Sequence, residues 1–359
     1  MTETELKFVL DPEAHGALSR SAALGAAHAV RIPLVSLYFD TPDCQLAKRA
    51  MALRLRRSGR RWVQSLKAGG AARGALHSRN EWEYSRRGPQ LDLSLFAQTP
   101  LAQLEGAETL HERLALAFRV RVMRTVWRIA PAPGSRLEVA LDSGTVESAA
   151  RSAPISELEI ECLEGDVAPA FDLAARLLEE VALRPSSITK AQRGYRLFRA
   201  ERLRPAKARA PRLDPAMTPL AAAIAVVGAD LEQLQANEEG VLVSTEVEFV
   251  HQARVALRRM RSALRMFRDV AGTERTQGWR NDLGEVGRAL GVARDWDVFA
   301  TESLPAATAA YGDAKFARAL LARAAKSRRR ERETARGALR SPRYARVILD
   351  IGRWMVHPQ

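Results

Sequence analysis

The stretch ETELKFVL, from Glu3 to Leu10, decides how the rest of the chain reads. Side chains of a strand alternate between its two faces, so Glu3, Glu5 and Lys7 share one face while Leu6, Phe8 and Leu10 share the other. This inverts the usual arrangement, in which a strand buries its apolar row and wets its charges. Two carboxylates beside an ammonium suit a hard cation together with a phosphate: oxygen ligands for Mg²⁺ or Mn²⁺, and a point charge for a phosphate oxygen. Taken alone the pentad also fits an exposed edge strand, because Glu-x-Glu-x-Lys is short and common. Whether later strands repeat the inversion decides between the two.

They do repeat it. VSLYFDT reads as a strand stopped by Thr41-Pro42-Asp43, and AMALRLRRSGRRWVQSLKAG as a hairpin turning at Ser58-Gly59. Along that hairpin Arg54 and Arg56 oppose Leu53 and Leu55, and Lys67 lies with Val63 and Ser65. In SRNEWEYS, Arg79, Glu81 and Glu83 alternate with Asn80, Trp82 and Tyr84. VMRTVWRI aligns Arg124 with Arg128, RLEVALDSG aligns Glu138 with Asp142, and ISELEIECLEG aligns Glu157, Glu159 and Glu161. Residues 11–30, rich in alanine, read as a short helix.

A closed antiparallel barrel accounts for so many inverted strands at once. Helices would cover its apolar exterior, and its lumen would hold both signs of charge. Buried charges must be paired or occupied by ligand and metal, because bare ones are costly. The competing picture is a solvated sheet with salt-bridged ladders.

Composition sets the outer bounds. At 359 residues, 47% hydrophobic and 27% charged, the chain is sized for two globular domains. It has neither a membrane-spanning apolar run nor a basic, apolar leader, so a cytoplasmic location is expected. Two cysteines, Cys44 and Cys162, make no disulfide framework and no metal spacing. The net charge of +14 divides as +5 over residues 1–203 and +9 over 204–359, which favours polyanionic partners. His15, His28, His77 and His111 form no triad, and no Gly-x-x-x-x-Gly-Lys loop is present.

Several motifs then fall into a recognisable order: Glu-x-Glu-x-Lys, YFDTPD with ALRLRR, Ser65-Leu66-Lys67, Arg124-x-x-Trp127, LEVALDSG, Glu157-x-Glu159-x-Glu161 and TKAQRGYRL. Across nearly all of residues 1–200 this series resembles the CYTH family, the triphosphate tunnel metalloenzymes. The resemblance implies an eight-stranded tunnel holding a triphosphate group and one or two divalent ions, Mg²⁺ or Mn²⁺. It implies Glu3, Glu5, Glu159 and Glu161 as metal ligands, with Glu157 and Asp142 as secondary candidates. Phosphate oxygens would be held by Lys7, Arg54, Arg56, Lys67, Arg124, Lys190 and Arg193. Glu81 and Glu83 would orient basic side chains or position water, joining Glu5 and Lys7 as the catalytic set. Thr189 stands before Lys190 where the family commonly has serine, so a hydroxyl is kept.

Residues 204–219 carry four prolines and no apolar period, as a linker or extended strap does. From Leu220 the pattern turns helical. In EFVHQARVALRRMRSALRMF, His251, Arg254, Arg258, Arg261 and Arg265 fall in one stripe, and Leu257, Met260, Leu264 and Phe267 in another. Such a helix packs into a bundle while presenting a cationic face; a merely solvated arginine face has the same periodicity.

His251-x-x-Arg254-x-x-x-Arg258, Leu290-Gly291-x-x-Arg294-Asp295-x-Asp297 and Ser341-Pro342-Arg343-Tyr344 resemble the CHAD domain, a helical module. That resemblance implies binding of inorganic polyphosphate along the stripe His251, Arg254, Arg258, Arg261 and Arg265. The family usually has two pseudo-symmetric halves. This sequence carries about one, so a partial domain is expected over 220–359, which a homodimer could complete.

The expected fold class is therefore α+β: an eight-stranded antiparallel β-tunnel with covering helices over 1–203, a proline-rich linker over 204–219, then an all-α bundle. The expected function is metal-dependent hydrolysis of inorganic triphosphate to pyrophosphate and phosphate, with a polyphosphate-binding appendage and an association with polyphosphate granules. Thiamine triphosphatase and adenylate cyclase use the same tunnel chemistry, although no aromatic base-binding box is legible. A non-catalytic polyphosphate binder would have little use for so many carboxylates. Nothing in the sequence reads nucleic-acid bases, and no membrane partner is expected.

Overall fold

The computed structural model describes residues 2–309 and 314–358. The chain divides into two compact units, Met1–Arg202 and Leu203–Gln359.

The first unit is built on β1 (Thr2–Leu10), β2 (Val30–Asp40), β3 (Met51–Ser58), β4 (Arg61–Arg73), β5 (Leu76–Arg86), β6 (Ala115–Ile129), β7 (Arg136–Ser148) and β8 (Arg151–Glu164). They pair in the order β5-β4-β3-β2-β6-β7-β8-β1, and β1 returns to β5 in the register Thr2↔Asn80 through Leu6↔Leu76. That last pairing closes the sheet into an eight-stranded antiparallel barrel and leaves these strands no long free edge. The expectation of a closed tunnel is borne out. A three-residue β9 (Leu183–Pro185) pairs with the second half of β1.

The inversion read in the sequence is the barrel's inside-out logic. Leu6, Phe8 and Leu10 point outward yet are fully buried, because other elements cover the barrel. One such cover is α3 (Ala168–Glu180), which buries Phe171, Leu173, Ala174, Leu177 and Leu178. A second apolar cluster joins the outward Leu53 and Leu66 to Phe96, Leu101 and Leu110 from the connection between β5 and β6. That connection consists of short 3₁₀ turns and α2 (Leu110–Arg113).

The alanine-rich segment 11–30 departs from its expected helix. Only α1 (His15–Ser19) is α-helical there, flanked by single 3₁₀ turns at Pro12–Ala14 and Ala22–Leu24. Gly25 ends the second turn at φ 61°, a conformation glycine adopts without strain, and the backbone leaves the helix.

After β9, Thr189 caps α4 (Lys190–Phe198) with a full capping box, its hydroxyl accepting from Gln192 N while the Gln192 side chain accepts from Thr189 N. This helix lies against the apolar end of the lumen. Tyr38 stacks on Phe118 with ring centroids 4.5 Å apart, and Tyr195 meets Phe118 edge-on at 5.0 Å. Gly194 faces the same ring, where an added Cβ would stand 2.1 Å from Phe118 Cδ2.

The second unit contains α5 (Pro219–Val243), α6 (Val247–Met266), α7 (Arg268–Ala271), α8 (Thr273–Val298), α9 (Leu304–Ala309), α10 (Ala314–Arg340) and α11 (Pro342–Val356). Leu231, Leu234, Phe249, Leu257, Met260, Leu264, Leu283, Leu290, Ile348 and Trp354 belong to its core. The proline-rich segment is strapped to α5: Ala206 N donates to Asn237 Oδ1 at 3.0 Å, and Asn237 Nδ2 donates to Ala206 O at 2.9 Å. Among the described residues, no helix is long and apolar enough to cross a membrane.

Candidate active site

Alternation along the barrel strands delivers the charged rows of the sequence to one cavity of about 220 Å³. Seven cationic and eight anionic side chains line it. Of the expected site residues, Glu3, Glu5, Lys7, Arg54, Arg56, Lys67, Glu81, Glu83, Arg124, Asp142, Glu159, Glu161 and Lys190 all face this space. Glu157 and Arg193 stand beside it and pair with each other, Arg193 Nε lying 3.0 Å from a Glu157 carboxylate oxygen.

The wall formed by β6, β7, β8 and α4 is a dense ionic cluster. Lys190 Nζ lies 2.9 Å from Asp142 Oδ2, 3.0 Å from Glu157 Oε2 and 2.7 Å from Glu159 Oε1. Arg124 donates to both Asp142 oxygens, at 2.8 and 2.6 Å, and to Glu159 Oε2 at 2.8 Å. Lys7 Nζ donates to Glu159 Oε1 at 2.5 Å and lies 3.2 Å from Glu5 Oε1. Burial alone would raise the Glu159 carboxyl, but Lys190, Lys7 and Arg124 outweigh it and hold it well below the ordinary range. Burial likewise opposes charge on Lys190, yet Asp142, Glu157 and Glu159 hold its pKa well above the ordinary value.

On the opposite wall, β3, β4 and β5 exchange charges with β1. Arg54 donates to Ser65 Oγ at 3.0 Å, Glu81 Oε1 at 3.2 Å and Glu83 Oε1 at 3.0 Å. Lys67 Nζ donates to both Glu3 oxygens, at 2.7 and 2.6 Å, and lies 3.0 Å from Glu81 Oε2. Arg79 spans Glu3 and Glu5, with Nε 3.1 Å from Glu3 Oε2 and Nη2 3.0 Å from Glu5 Oε1.

Two groups stand outside these pairings. Arg56 makes no ion pair among the described residues, and its buried Nε lacks a hydrogen bond. Burial, then Arg54 and Arg124, press its pKa down to about 10. Across the cavity Glu161 makes no ion pair among the described residues. Burial, then Glu3, Glu5 and Glu138, push its carboxyl up to about 7. A cation and an anion, each without an ion-pair partner among the described residues, therefore face one space.

The metal candidates are not gathered into one ready-made cage. Among the described residues, no three acidic, histidine or cysteine side chains converge as a metal cluster. Asp142, Glu157 and Glu159 spend their oxygens on Arg124, Lys190, Lys7 and Arg193, and Glu3 and Glu5 on Lys67, Arg79 and Lys7. Repulsion around Glu161 from Glu3, Glu5 and Glu138, which Lys67 offsets only in part, is the feature that fits a divalent cation.

Three ionisable lining residues were absent from the expected set: Arg79, Glu138 and Tyr38. The strand alternation carries the first two, since Arg79 shares a face with Glu81 and Glu138 with Asp142. Tyr38 is readable only as a strand residue; its burial beneath α4 depends on tertiary packing.

In the helical unit the expected stripe divides. Arg258 and Arg265 are exposed, while His251, Arg254 and Arg261 are half-buried. Arg261 Nε donates to Arg280 O at 3.1 Å, and its guanidinium lies over Gly284, whose added Cβ would be 3.2 Å from Nη2. Arg254 similarly crosses Gly291. Asp297 ties α8 to α10: it is wholly buried and receives Arg328 Nε at 2.6 Å and Arg332 Nε at 2.8 Å.

Comparison with known proteins places both units. A CYTH domain model matches residues 1–195, and a CHAD domain model matches residues 225–359. An inorganic triphosphatase of Haemophilus influenzae is 32% identical over 204 residues, which are 55% of this chain and 55% of that protein. The chain thus spans about half the length of that relative. A putative adenylyl cyclase from Hippeastrum, described as having a dominant triphosphatase activity, has a TM-score of 0.42 at 23% identity, covering 56% of this chain and 98% of that one. The CHAD domain of Ricinus communis has a TM-score of 0.38 at 37% identity, covering 43% of this chain and 51% of that one. With the closed barrel, its charged lumen and a family match running from the first strand into α4, the chain belongs to the CYTH family.

Proposed function

We propose that the tunnel hydrolyses inorganic triphosphate to pyrophosphate and phosphate with the help of Mg²⁺ or Mn²⁺. The observation that carries this reading is the pair Arg56 and Glu161, neither with an ion-pair partner among the described residues, facing a cavity otherwise close to charge balance. A fully ionised triphosphate brings more negative charge than such a cavity neutralises. A triphosphate accompanied by divalent ions restores the balance, offering anionic oxygens to Arg56 and positive charge to Glu161. The name of the Haemophilus influenzae relative supports the same substrate.

The residues divide the work. Arg56, Arg54, Lys7, Arg124 and Lys190 would hold non-bridging phosphate oxygens, and Lys67 would join them from the opposite wall. Arg193 steadies Glu157 and through it Lys190. Glu161, Glu3 and Glu5 are the proposed metal ligands, with Glu138 close enough to contribute to the same field. Asp142, Glu157 and Glu159, also expected as ligands, are better placed to hold Arg124 and Lys190 in position. A divalent ion there would supply charge neutralisation and an acidified water. Glu81 and Glu83 fix the Arg54 guanidinium and border the water-accessible side, where a water can be oriented for in-line attack. The protein's contribution is positioning and electrostatics rather than covalent chemistry.

The apolar end closed by Phe118, Tyr195 and Gly194 gives no obvious seat to a nucleobase or thiazole ring. Phosphate release measured from triphosphate, ATP, thiamine triphosphate and long-chain polyphosphate, each with and without Mg²⁺ or Mn²⁺, tests the assignment. Triphosphate should give the highest kcat/KM; preference for ATP or thiamine triphosphate would reassign the substrate. The helical unit would bind inorganic polyphosphate through Arg254, Arg258, Arg261 and Arg265 with His251, within a cytoplasmic protein.

A further inference from the structure

Arg79 is a lumen cation that bridges both glutamates of the opening Glu-x-Glu-x-Lys strand. Its two nitrogens contact one oxygen of Glu3 and one of Glu5, at 3.1 and 3.0 Å. Those are two of the three carboxylates assigned above to the divalent ion. A guanidinium that joins two carboxylates does electrostatically what a metal ion would do between them.

The backbone is shaped to put it there. Arg79 is the direct cross-strand partner of Glu3 where β5 meets β1. On its other edge, the β4–β5 ladder slips between Ala68 and Ala71, leaving Gly69 and Gly70 as a bulge. Gly70 has φ +108°, and an added Cβ would stand 2.7 Å from Arg79 Cβ and 2.7 Å from Ser78 O. Only glycine fits that approach without displacement, and bulges commonly re-aim the side chain opposite them.

We propose that Arg79 is a built-in counter-ion that competes with the divalent ion for Glu3 and Glu5. In the free protein it holds the two carboxylates and weakens metal binding. An arriving polyphosphate anion offers oxygens to Arg79, and also to Lys67 and Lys7, which hold Glu3 and Glu5 from their other sides, so the carboxylates are freed when the substrate is present. Metal and triphosphate then bind cooperatively, and free metal is held weakly. This inference rests on the assignment of Glu3, Glu5 and Glu161 to the metal, and Arg79 acts through those carboxylates as a positioning residue.

Mn²⁺ titration of the full chain without any phosphate, followed by the electron paramagnetic resonance of free Mn²⁺, tests it apart from turnover. Arg79→Gln should bind Mn²⁺ at least tenfold more tightly than the unsubstituted chain. Arg79→Lys, whose single ammonium holds one carboxylate at a time, should fall between them. Equal or weaker binding by Arg79→Gln would overturn the proposal and make Arg79 a support for the ligands. If Arg79→Gln fails to fold, Arg79→Lys carries the test, and affinity no tighter than the unsubstituted chain overturns it. Glu161→Gln in the same titration checks the underlying assignment: undiminished Mn²⁺ binding there would overturn the metal site itself, whatever Arg79 does.

Discussion

Lys190, the first residue of α4, places its ammonium 2.9 Å from Asp142 on β7, and that carboxylate is completely buried. The same nitrogen reaches Glu157 and Glu159, so it joins three buried acids that Arg124, Lys7 and Arg193 also pair with. Lys190→Ala should destabilise the barrel by about 1–3 kcal/mol, less than a bare buried charge would cost, because Arg124 still pairs with Asp142 and Glu159, Lys7 with Glu159 and Arg193 with Glu157. Thermal unfolding of the variant against the unsubstituted chain measures it. A loss under about 1 kcal/mol would mean that water already screens the cluster.

Gly194→Ala tests whether α4 sets the position of the phosphate-holding groups. The added methyl meets the Phe118 ring at 2.1 Å, so ring or helix must move. Overpacking of this kind costs about 1–3 kcal/mol. Because Lys190 and Arg193 ride on the same helix, KM for triphosphate should rise by about tenfold or more, equivalent to about 1.4 kcal/mol. A destabilised variant with unchanged KM would separate helix packing from substrate binding.

The cavity holds carboxyls that respond to pH in opposite senses. Glu161 is raised from the ordinary 4.5 to about 7, so between those values the folded chain binds a proton that the unfolded chain releases. Stability from this group is full below about pH 4.5 and is lost as pH rises towards 7, by at most about 3 kcal/mol before solvent screening. Glu159 is held well below 4.5, so its contribution is present above that value and is lost as pH falls. In EDTA, Glu161→Gln should raise the melting temperature at pH 8 and change it little at pH 4. Equal shifts at both pH values would contradict a raised Glu161 carboxyl.

Much of this site was legible because a strand's period is two. Once Glu3, Glu5 and Lys7 shared a face, the same alternation placed Arg54, Glu81, Asp142 and Glu159 without tertiary information. Pairing was not legible, because it depends on which strands face each other across the lumen. The family resemblance implied Glu159, and secondarily Asp142, as metal ligands; that both pair with Lys190 and Arg124 is visible only in the fold. Residues 11–30 misled for a different reason: alanine content promises helix, but Ser21 starts a separate 3₁₀ turn and Gly25 ends it in a positive-φ conformation, so the segment breaks into short pieces. On α6 the periodicity gave the arginine stripe but not its division, which follows from Gly284 and Gly291 on a neighbouring helix.

The helical unit should bind long-chain polyphosphate with a steep salt dependence, since each neutralised phosphate releases counterions. Replacing Arg254, Arg258 and Arg265 together by Gln should weaken binding and flatten the dependence of log Kd on log salt, leaving helicity intact. Triphosphate hydrolysis should be unaffected. A folded triple variant with the original salt slope would reduce the stripe to a solvated face.

The most direct test of the central claim is ³¹P nuclear magnetic resonance of triphosphate incubated with the full chain and Mg²⁺ or Mn²⁺. Resonances of pyrophosphate and orthophosphate should grow in equal molar amounts, stop on addition of EDTA, and be nearly absent with Glu161→Gln or Arg56→Gln. Equal product formation in EDTA, or undiminished turnover by both variants, would contradict a metal-assisted reaction between those two charges.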